Sequence, residues 1–186
     1  MIAKMIKDII TFLKVKCNRI DYRGGYIGFD VKIVNRGKIV LYKGVIIRPS
    51  SHVYAGNNRS VIEFGEGTEI GNHSTISAHN AILFGKDVLT GPHVFVSDHN
   101  HEYTNPNMAI SKQGVKCDKG GKVTIGDGTW IGTNAVIVGN VNIGKHCVIG
   151  ANSVVTKDIP DYCVAAGIPA KIIKKYNFDS SVWERF

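Results

Sequence analysis

Residues 123–155 read VTIGDGTWIGTNAVIVGNVNIGKHCVIGANSVV, and within them a branched aliphatic residue returns at every sixth position. The members of this series are Ile125, Ile131, Ile137, Ile143, Ile149 and Val155. A period of six fits neither the 3.6-residue turn of an α-helix nor hairpins with loops of ordinary length. A sandwich of short strands is the competing fold, but sandwiches do not hold one phase for six repeats. The period therefore predicts an all-β solenoid with one inward aliphatic side chain per short strand.

An earlier stretch of the chain repeats the same pattern and then shifts by two residues. The first series is Phe64, Ile70, Ile76 and Ile82, and the shifted series is Phe84, Thr90 and Val96. We therefore expect a two-residue insertion between Ile76 and Phe84. The period is lost between residues 100 and 121, which predicts a long loop that leaves the solenoid. Loops of this length are uncommon in compact domains unless they serve a functional site.

Composition limits the classes of protein that the chain can be. Its 186 residues suit one domain, and 44% hydrophobic and 20% charged residues are ordinary for a soluble globular protein. A net charge of +8 favours an anionic partner, such as a phosphorylated cofactor or a membrane surface. The middle of the chain has no basic runs with interleaved aromatics, which argues against nucleic acid. Four cysteines without C-x-x-C spacing predict no disulfide framework or zinc knuckle and indicate a reducing cytoplasm.

Residues 1–20 predict an amphipathic helix rather than a signal peptide or a membrane span. Lysines interrupt the apolar run, and no small-residue cleavage site follows. One stripe contains Ile2, Met5, Ile6, Ile9, Ile10 and Leu13, and the opposite side contains Lys4, Lys7, Asp8, Thr11 and Lys14. The stripe is expected to pack over the open end of the solenoid. The alternative is a peripheral helix on the inner face of the membrane.

The predicted organisation has three parts along the chain. The helix over residues 1–20 precedes a β-helix domain over residues 21–175, from which the loop 100–121 extends. Residues 176–186 form a tail with aromatic residues. Solenoids need protection at both ends, and the helix and the tail are the candidate caps.

Residues 123–174 contain IGDGTWIG, VVTKDIP and AAGIPAK in this order, and this run resembles the hexapeptide-repeat acetyltransferases related to galactoside and maltose acetyltransferases. Residues 76–103, ISAHNAILFGKDVLTGPHVFVSDHNHEY, are similar to the branch that modifies capsule, O-antigen and other surface saccharides. The resemblance covers about the second two-thirds of the chain. It implies a left-handed parallel β-helix, a homotrimer, and active sites in the grooves between subunits.

The resemblance implies that His99 is the catalytic general base. A hydroxyl group attacks a thioester only while its proton is being removed, and histidine suits this role near neutral pH. His101 lies two residues away and is the competing candidate. The second ring nitrogen of His99 needs a hydrogen-bond partner. Asp98, Glu102 or a backbone carbonyl group could supply it, and the sequence does not distinguish between them.

His79 is a candidate site residue because of its spacing from His99, and not because of the resemblance. It precedes His99 by 20 residues, which is one 18-residue coil plus the two-residue insertion, so the two imidazoles should stack on one edge of the solenoid. His79, Asp98 and His101 are therefore expected near the acceptor. Ser77 occupies the position at which galactoside-type relatives have an acceptor-binding asparagine. Trp130 occupies the position at which the indole of relatives forms a wall of the acetyl and acceptor pocket.

The resemblance also assigns contacts for acetyl-coenzyme A, the co-substrate. Thr133 and Ala151 are expected to meet the pantetheine arm. The nucleotide end is expected to contact Thr156, Lys157, Lys171 and Lys174. Relatives often have arginine at position 171, and lysine keeps the charge but loses the bidentate geometry. No metal is expected.

The expected reaction is direct transfer of an acetyl group to a sugar hydroxyl, in surface polysaccharide biosynthesis in the cytoplasm. One alternative is a γ-type zinc carbonic anhydrase, which would need His79 and His99 to converge with a third histidine on one metal. His93 is six residues from His99 and is expected on another side of the solenoid. A second alternative is an N-acetyltransferase of an amino sugar or an antibiotic, and a third is a solenoid scaffold without activity.

Overall fold

The computed structural model of the chain describes residues 2–185, with side chains from residue 5 onward. Short parallel strands form three sheets, named here faces A, B and C, and the chain visits them in turn. Face A holds β1 (Asp21–Tyr22), β4 (Lys38–Leu41), β7 (Val61–Phe64), β10 (Ala81–Phe84), β15 (Lys122–Ile125) and β18 (Val141–Ile143). Face C holds β3 (Lys32–Asn35), β6 (His52–Ala55), β9 (Thr75–Ala78), β12 (Phe95–Ser97), β17 (Val136–Val138) and β20 (Val154–Val155).

Face B continues beyond the parallel strands into an antiparallel hairpin. Its parallel strands are β2 (Gly25–Ile27), β5 (Val45–Ile47), β8 (Glu69–Ile70), β11 (Leu89–Thr90), β16 (Trp130–Ile131), β19 (Val148–Ile149) and β21 (Cys163–Gly167). The chain then folds back as β22 (Ala170–Asn177) and β23 (Val182–Arg185), which pair antiparallel. Together the faces form a left-handed parallel β-helix, which confirms the solenoid predicted from the repeat and the fold that the resemblance implies.

Columns of aliphatic side chains fill the interior of the solenoid. On face A the column is Ile39, Ile62, Ile82, Val123 and Val141, and on face C it is Val53, Ile76, Val96, Ile137 and Val155. Each of these side chains is at most 1% exposed. Burying one of them contributes roughly 1.5–3 kcal/mol relative to leaving it in water. The columns therefore fix the register of each coil on the next.

The two-residue insertion lies where the repeat predicted it. Ser77 on β9 pairs with Ser97 on β12, which makes this coil 20 residues long. Val123 on β15 pairs with Val141 on β18, so the later coil has 18 residues. The two additional residues of this coil are accommodated in the turn between β9 and β10, at His79 and Asn80.

The predicted loop 100–121 contains a small hairpin rather than irregular chain throughout. Strand β13 (Asn100–His101) pairs antiparallel with β14 (Val115–Lys116), and a one-turn helix, α2 (Ile110–Gln113), lies between them. The end of the loop is attached to the solenoid, because the side-chain amide of Asn80 donates to the carbonyl oxygen of Asp118 at 2.9 Å. This contact holds the loop beside the edge at which β9 and β12 end.

The N-terminal helix, α1 (Ile2–Cys17), packs on the first coil with a different side from the one predicted. Thr11 is buried, its hydroxyl contacts the carbonyl oxygen of Ile27, and it accepts a hydrogen bond from the Ile27 N–H at 3.1 Å. Lys14 Nζ donates to the carbonyl oxygen of Val31 at 2.7 Å. Thr11 and Lys14 belong to the side expected to face solvent, so that expectation is wrong. The open edge of the first coil offers polar backbone groups, and polar side chains satisfy them.

The helix ends at Cys17 rather than at residue 20, and the limit predicted between 175 and 176 falls inside β22. The tail therefore continues a strand. Within residues 2–185, no helix is long and apolar enough to cross a bilayer.

Candidate active site

His79 and His99 lie together on the edge between faces C and A. They follow β9 and β12, and Ser77 pairs with Ser97 in the strands just before them. The ring centroids are 4.3 Å apart with an interplanar angle of 23°. The stacking predicted from the 20-residue interval is confirmed.

Asp98 connects the two histidines through its buried carboxylate. Its side chain is 0% exposed. The carboxylate accepts the backbone N–H of His79 at 2.8 Å and that of Asn80 at 2.7 Å. The same Oδ1 lies 3.0 Å from Nδ1 of His99. A carboxylate only accepts hydrogen bonds, so the proton of a neutral His99 belongs on Nδ1, and Nε2 keeps a free lone pair.

The hydroxyl of Ser97 supports the same orientation. It donates to the carbonyl oxygen of His99 at 2.9 Å and lies 3.2 Å from Nδ1. Glu102, the other candidate carboxylate, instead accepts the backbone N–H groups of Tyr103 and Thr104. These hydrogen bonds, led by those with Thr104, lower the pKa of Glu102. Asp98 is therefore the carboxylate that holds His99.

The surroundings of His79 favour the uncharged form of its imidazole. Burial lowers its pKa, and the neighbouring His99 lowers it further, although Asp98 acts in the opposite direction. Within the described residues its Nδ1 has no hydrogen-bond partner. A β-carbon at position 56 would lie 2.6 Å from Nδ1 and Cε1 of His79, so Gly56 leaves the room that the ring occupies. Tyr54 stacks on its other side, with ring centroids 6.3 Å apart.

An open cavity of about 360 Å³ lies in front of His99. Its wall is formed by Phe95, Ser97, Asp98, His99, Asn100, His101, Lys116, Asp118, Val138 and Gly139. The side chain of His99 is 15% exposed, whereas His101 is exposed on β13. The loop contributes Lys116 and Asp118, which sequence reasoning missed because no repeat or motif marks them.

The remaining predicted residues fall into two groups. Ser77 is half-buried on β9, and Thr156 and Lys157 are exposed just after β20, on the same edge as His99. Two coils separate Lys157 from His99, or about 10 Å along the solenoid axis. These residues can serve one site within a single chain.

The second group lies away from His99. Trp130 is 51% exposed on β16 of face B, between Leu89 and Val148. Thr133 and Ala151 lie at the opposite edge of face C, before β17 and β20. Lys171 and Lys174 are exposed on β22. Within one chain, the structure does not bring this group to the cavity.

Within the described chain, His93 does not join the His79 and His99 pair to form a metal site. His93 stacks on His73 at the edge between faces B and C, with ring centroids 4.9 Å apart. Among the residues whose positions are described, no three histidine, cysteine or carboxylate side chains are grouped so that they could hold a metal ion.

Comparison with known proteins places this geometry in a family. The model of the bacterial transferase hexapeptide (six repeats) matches residues 122–157. The protein described as "Putative lipopolysaccharide biosynthesis O-acetyl transferase WbbJ" of Escherichia coli (strain K12) is 36% identical over 68% of this chain and 67% of WbbJ. The galactoside O-acetyltransferase of Lactococcus lactis subsp. lactis (strain IL1403) is 36% identical over 67% of this chain and 58% of that protein. The chain thus spans about two-thirds or less of the length of these two relatives.

A solved structure supports the same assignment. Galactoside acetyltransferase in complex with coenzyme A superposes with a TM-score of 0.57 at 27% identity, covering 82% of this chain and 68% of that one. The chain belongs to the hexapeptide-repeat acyltransferase family.

Proposed function

We propose that the chain transfers an acetyl group from acetyl-coenzyme A to a hydroxyl group of a sugar, in the biosynthesis of a surface polysaccharide. The observation that carries the proposal is His99, whose Nδ1 faces the buried carboxylate of Asp98 at 3.0 Å beside an open cavity. This arrangement supplies a general base that is oriented before substrate binds. WbbJ and the galactoside acetyltransferases support acetyl-coenzyme A as co-substrate and a saccharide as acceptor.

The transfer proceeds directly between the two bound substrates. Nε2 of His99 accepts the hydroxyl proton while the oxygen attacks the thioester carbonyl carbon. The tetrahedral intermediate then collapses, the carbon–sulfur bond breaks, and the imidazolium returns the proton to the coenzyme A thiolate. Asp98 stabilises the imidazolium between these steps, because its carboxylate lies against Nδ1. No side chain needs to be acetylated.

The acceptor contacts follow from the positions around His99. We assign His79, Ser77 and His101 to the acceptor side of the cavity. Asp98 was expected there too, but its side chain is fully buried and occupied by three donors, so its role is to orient His99. An uncharged His79 also places no positive charge against the imidazolium that forms on His99.

We propose that the active protein is a cytoplasmic homotrimer with sites between its subunits. His99 lies at one edge of face C, and Trp130, Thr133, Ala151, Lys171 and Lys174 lie at the other edge or on face B. A groove between two parallel solenoids would bring these two sets together. Free cysteines agree with a reducing compartment.

The proposed activity is tested with purified protein, acetyl-coenzyme A and a panel of sugars and nucleotide sugars, by following release of free thiol. We expect thiol release that depends on the acceptor and a product with an added acetyl ester, which mild alkali removes. A product that is stable to mild alkali would identify an amide and therefore an amino-sugar acceptor. Absence of thiol release with every saccharide would contradict the proposal.

Mixing two inactive subunits should restore activity if the site is shared between chains. His99→Ala removes the base, and Ala151→Trp places a bulky group in the expected path of the pantetheine arm, at an exposed position. In randomly mixed trimers, about a quarter of the sites join an intact His99 to an intact Ala151 from the neighbouring subunit. Co-expression should therefore recover about a quarter of the wild-type activity.

The oligomeric state is measured alongside the mixing experiment. Light scattering should report about three times 20.3 kDa for the wild type and for both variants. If both residues serve the same site from one chain, every mixed site carries a defect and no activity returns. That result, or a fully active monomer, would remove the site between subunits.

Lys171→Ala should raise the KM for acetyl-coenzyme A by about 3- to 10-fold and leave kcat almost unchanged, because an exposed contact with a phosphate is remote from the thioester. Steady-state kinetics at saturating acceptor measures both constants. Lys86→Ala is the matched control, because it removes one exposed lysine that was not expected to contact the cofactor, at the edge between faces A and B. A lower kcat at unchanged KM would contradict the assignment.

A further inference from the structure

Five large apolar side chains lie exposed along one side of α1, although the other side of the helix is packed against the solenoid. They are Met5 (56% exposed), Ile6 (49%), Ile9 (51%), Phe12 (57%) and Leu13 (54%). Their spacing places them on one continuous stripe of an α-helix, called here the outer stripe. Contiguous exposed apolar surface of this kind marks an interaction site more often than an isolated exposed residue does.

The contacts of the packed side keep the outer stripe exposed. Thr11 contacts both the N–H and the carbonyl oxygen of Ile27, and Lys14 donates to Val31. Val15 packs against the hydrophobic core from the same side. Rotating the helix to bury the outer stripe would break these hydrogen bonds and leave buried backbone groups without partners. The exposure is therefore a consequence of how the helix is anchored.

The charges beside the outer stripe favour an anionic partner. Lys16 is exposed, and its Nζ lies 5.4 Å from the ring centroid of Phe12, a residue of the outer stripe. Lys7 belongs to the packed side, where its Nζ lies 5.5 Å from the ring centroid of Tyr26. Asp8 is the one acidic residue between residues 5 and 17. We propose that the outer stripe docks on an anionic lipid bilayer, with its apolar side chains at the acyl boundary and Lys16 at the headgroups. The helix then lies in the interface and does not span it.

Charge also argues against a second copy of the helix as the occupant. A two-fold contact places the same surface of each chain against the other, and it would bring the two Lys16 side chains toward each other without an acidic partner on the stripe. A lipid surface supplies the missing negative charge. The proposed trimer adds to this, because three parallel solenoids would present three outer stripes at one end of the assembly, and their binding would be multivalent. Of these arguments for a lipid surface, only the multivalent binding rests on the proposed function, because it requires the trimer.

The test is co-sedimentation of the full-length protein with vesicles, without substrates. We expect binding to vesicles of phosphatidylcholine with phosphatidylglycerol to exceed binding to phosphatidylcholine alone by at least tenfold, and to weaken with salt. Ile9→Glu with Phe12→Glu should lower binding to the anionic vesicles by at least tenfold. The matched control, Phe178→Glu with Val182→Glu, introduces the same charges at two exposed apolar positions in the C-terminal hairpin and should bind like the wild type.

Light scattering and circular dichroism of the variants accompany the test. If Ile9→Glu with Phe12→Glu is folded and trimeric but no longer binds vesicles, the docking surface is supported. If the same variant dissociates the oligomer, the outer stripe is a contact between subunits and the proposal is overturned. Equal binding of the wild type to both kinds of vesicle, or no binding to either, would also overturn it. Lys16→Glu should weaken the preference for anionic vesicles while keeping the helix folded.

Discussion

His99→Ala is expected to lower kcat by about 10²- to 10⁴-fold, which is the usual size of general-base assistance. The acetyl acceptor is an alcohol, and without a base its oxygen must attack the thioester while still protonated. Binding of acetyl-coenzyme A should change little, because the imidazole contacts the reacting hydroxyl rather than the cofactor. Initial rates of thiol release at saturating substrates give kcat, and a coenzyme A titration gives the dissociation constant.

His101→Ala is the matched control for this variant. His101 lines the same cavity but is exposed on β13, and the hydrogen bond described for it is made by its backbone N–H with the side chain of Asn100. We expect at most a few-fold change in kcat. Retained activity in His99→Ala together with lost activity in His101→Ala would show that the other imidazole is the base.

Asp98→Asn is expected to lower kcat by about 10²- to 10³-fold while leaving the KM for acetyl-coenzyme A within about threefold. The amide has nearly the same shape as the carboxylate but cannot stabilise the imidazolium with a full negative charge. It can also present its NH₂ group to Nδ1 of His99, which would favour the tautomer whose Nε2 carries the proton. That tautomer cannot accept the proton of the acceptor hydroxyl.

The same substitution has a structural cost that must be measured separately. Asp98 accepts the N–H groups of His79 and Asn80, and an amide can satisfy only part of this set. One unsatisfied buried N–H costs about 1–3 kcal/mol, so the midpoint of thermal unfolding should fall. Glu102→Gln is the control, since that carboxylate contacts residues of its own loop and not His99 or the turn after β9. A large loss of kcat in Glu102→Gln, with Asp98→Asn active, would reverse the two roles.

The sequence was sufficient to predict the features that depend on the repeat. Once the aliphatic period is known, each coil stacks on the next with a fixed register, so the 20-residue interval between His79 and His99 predicts that their rings stack. The same period located the insertion and the start of the loop. Hydrophobic spacing predicts these features because every coil buries its aliphatic side chains in the same continuous core.

The features that depend on hydrogen bonds with distant backbone groups could not be predicted. Asp98 lies one residue before His99 and Glu102 three residues after it, and both are near enough in the sequence to reach its ring. The hydrogen bonds of Asp98 with the turn at His79 and Asn80 distinguish them. The packed side of α1 was missed for a related reason. Hydrophobic periodicity predicts that an apolar stripe faces the core, but the edge of the first coil offers polar groups at Ile27 and Val31. Lys116 and Asp118 lie in a loop whose sequence has no period.

The C-terminal hairpin limits how copies of the chain can associate end to end. A parallel solenoid that ended in an open coil could accept the first coil of another molecule, and repeated addition would grow a fibre. On face B the last parallel strand, β21, is instead covered by β22, which runs in the opposite direction and is covered in turn by β23. A strand from another molecule therefore cannot continue the parallel pairing and register of the preceding coils on this face. The reversal of the chain at Gly167 thus blocks the addition of a further parallel strand to face B.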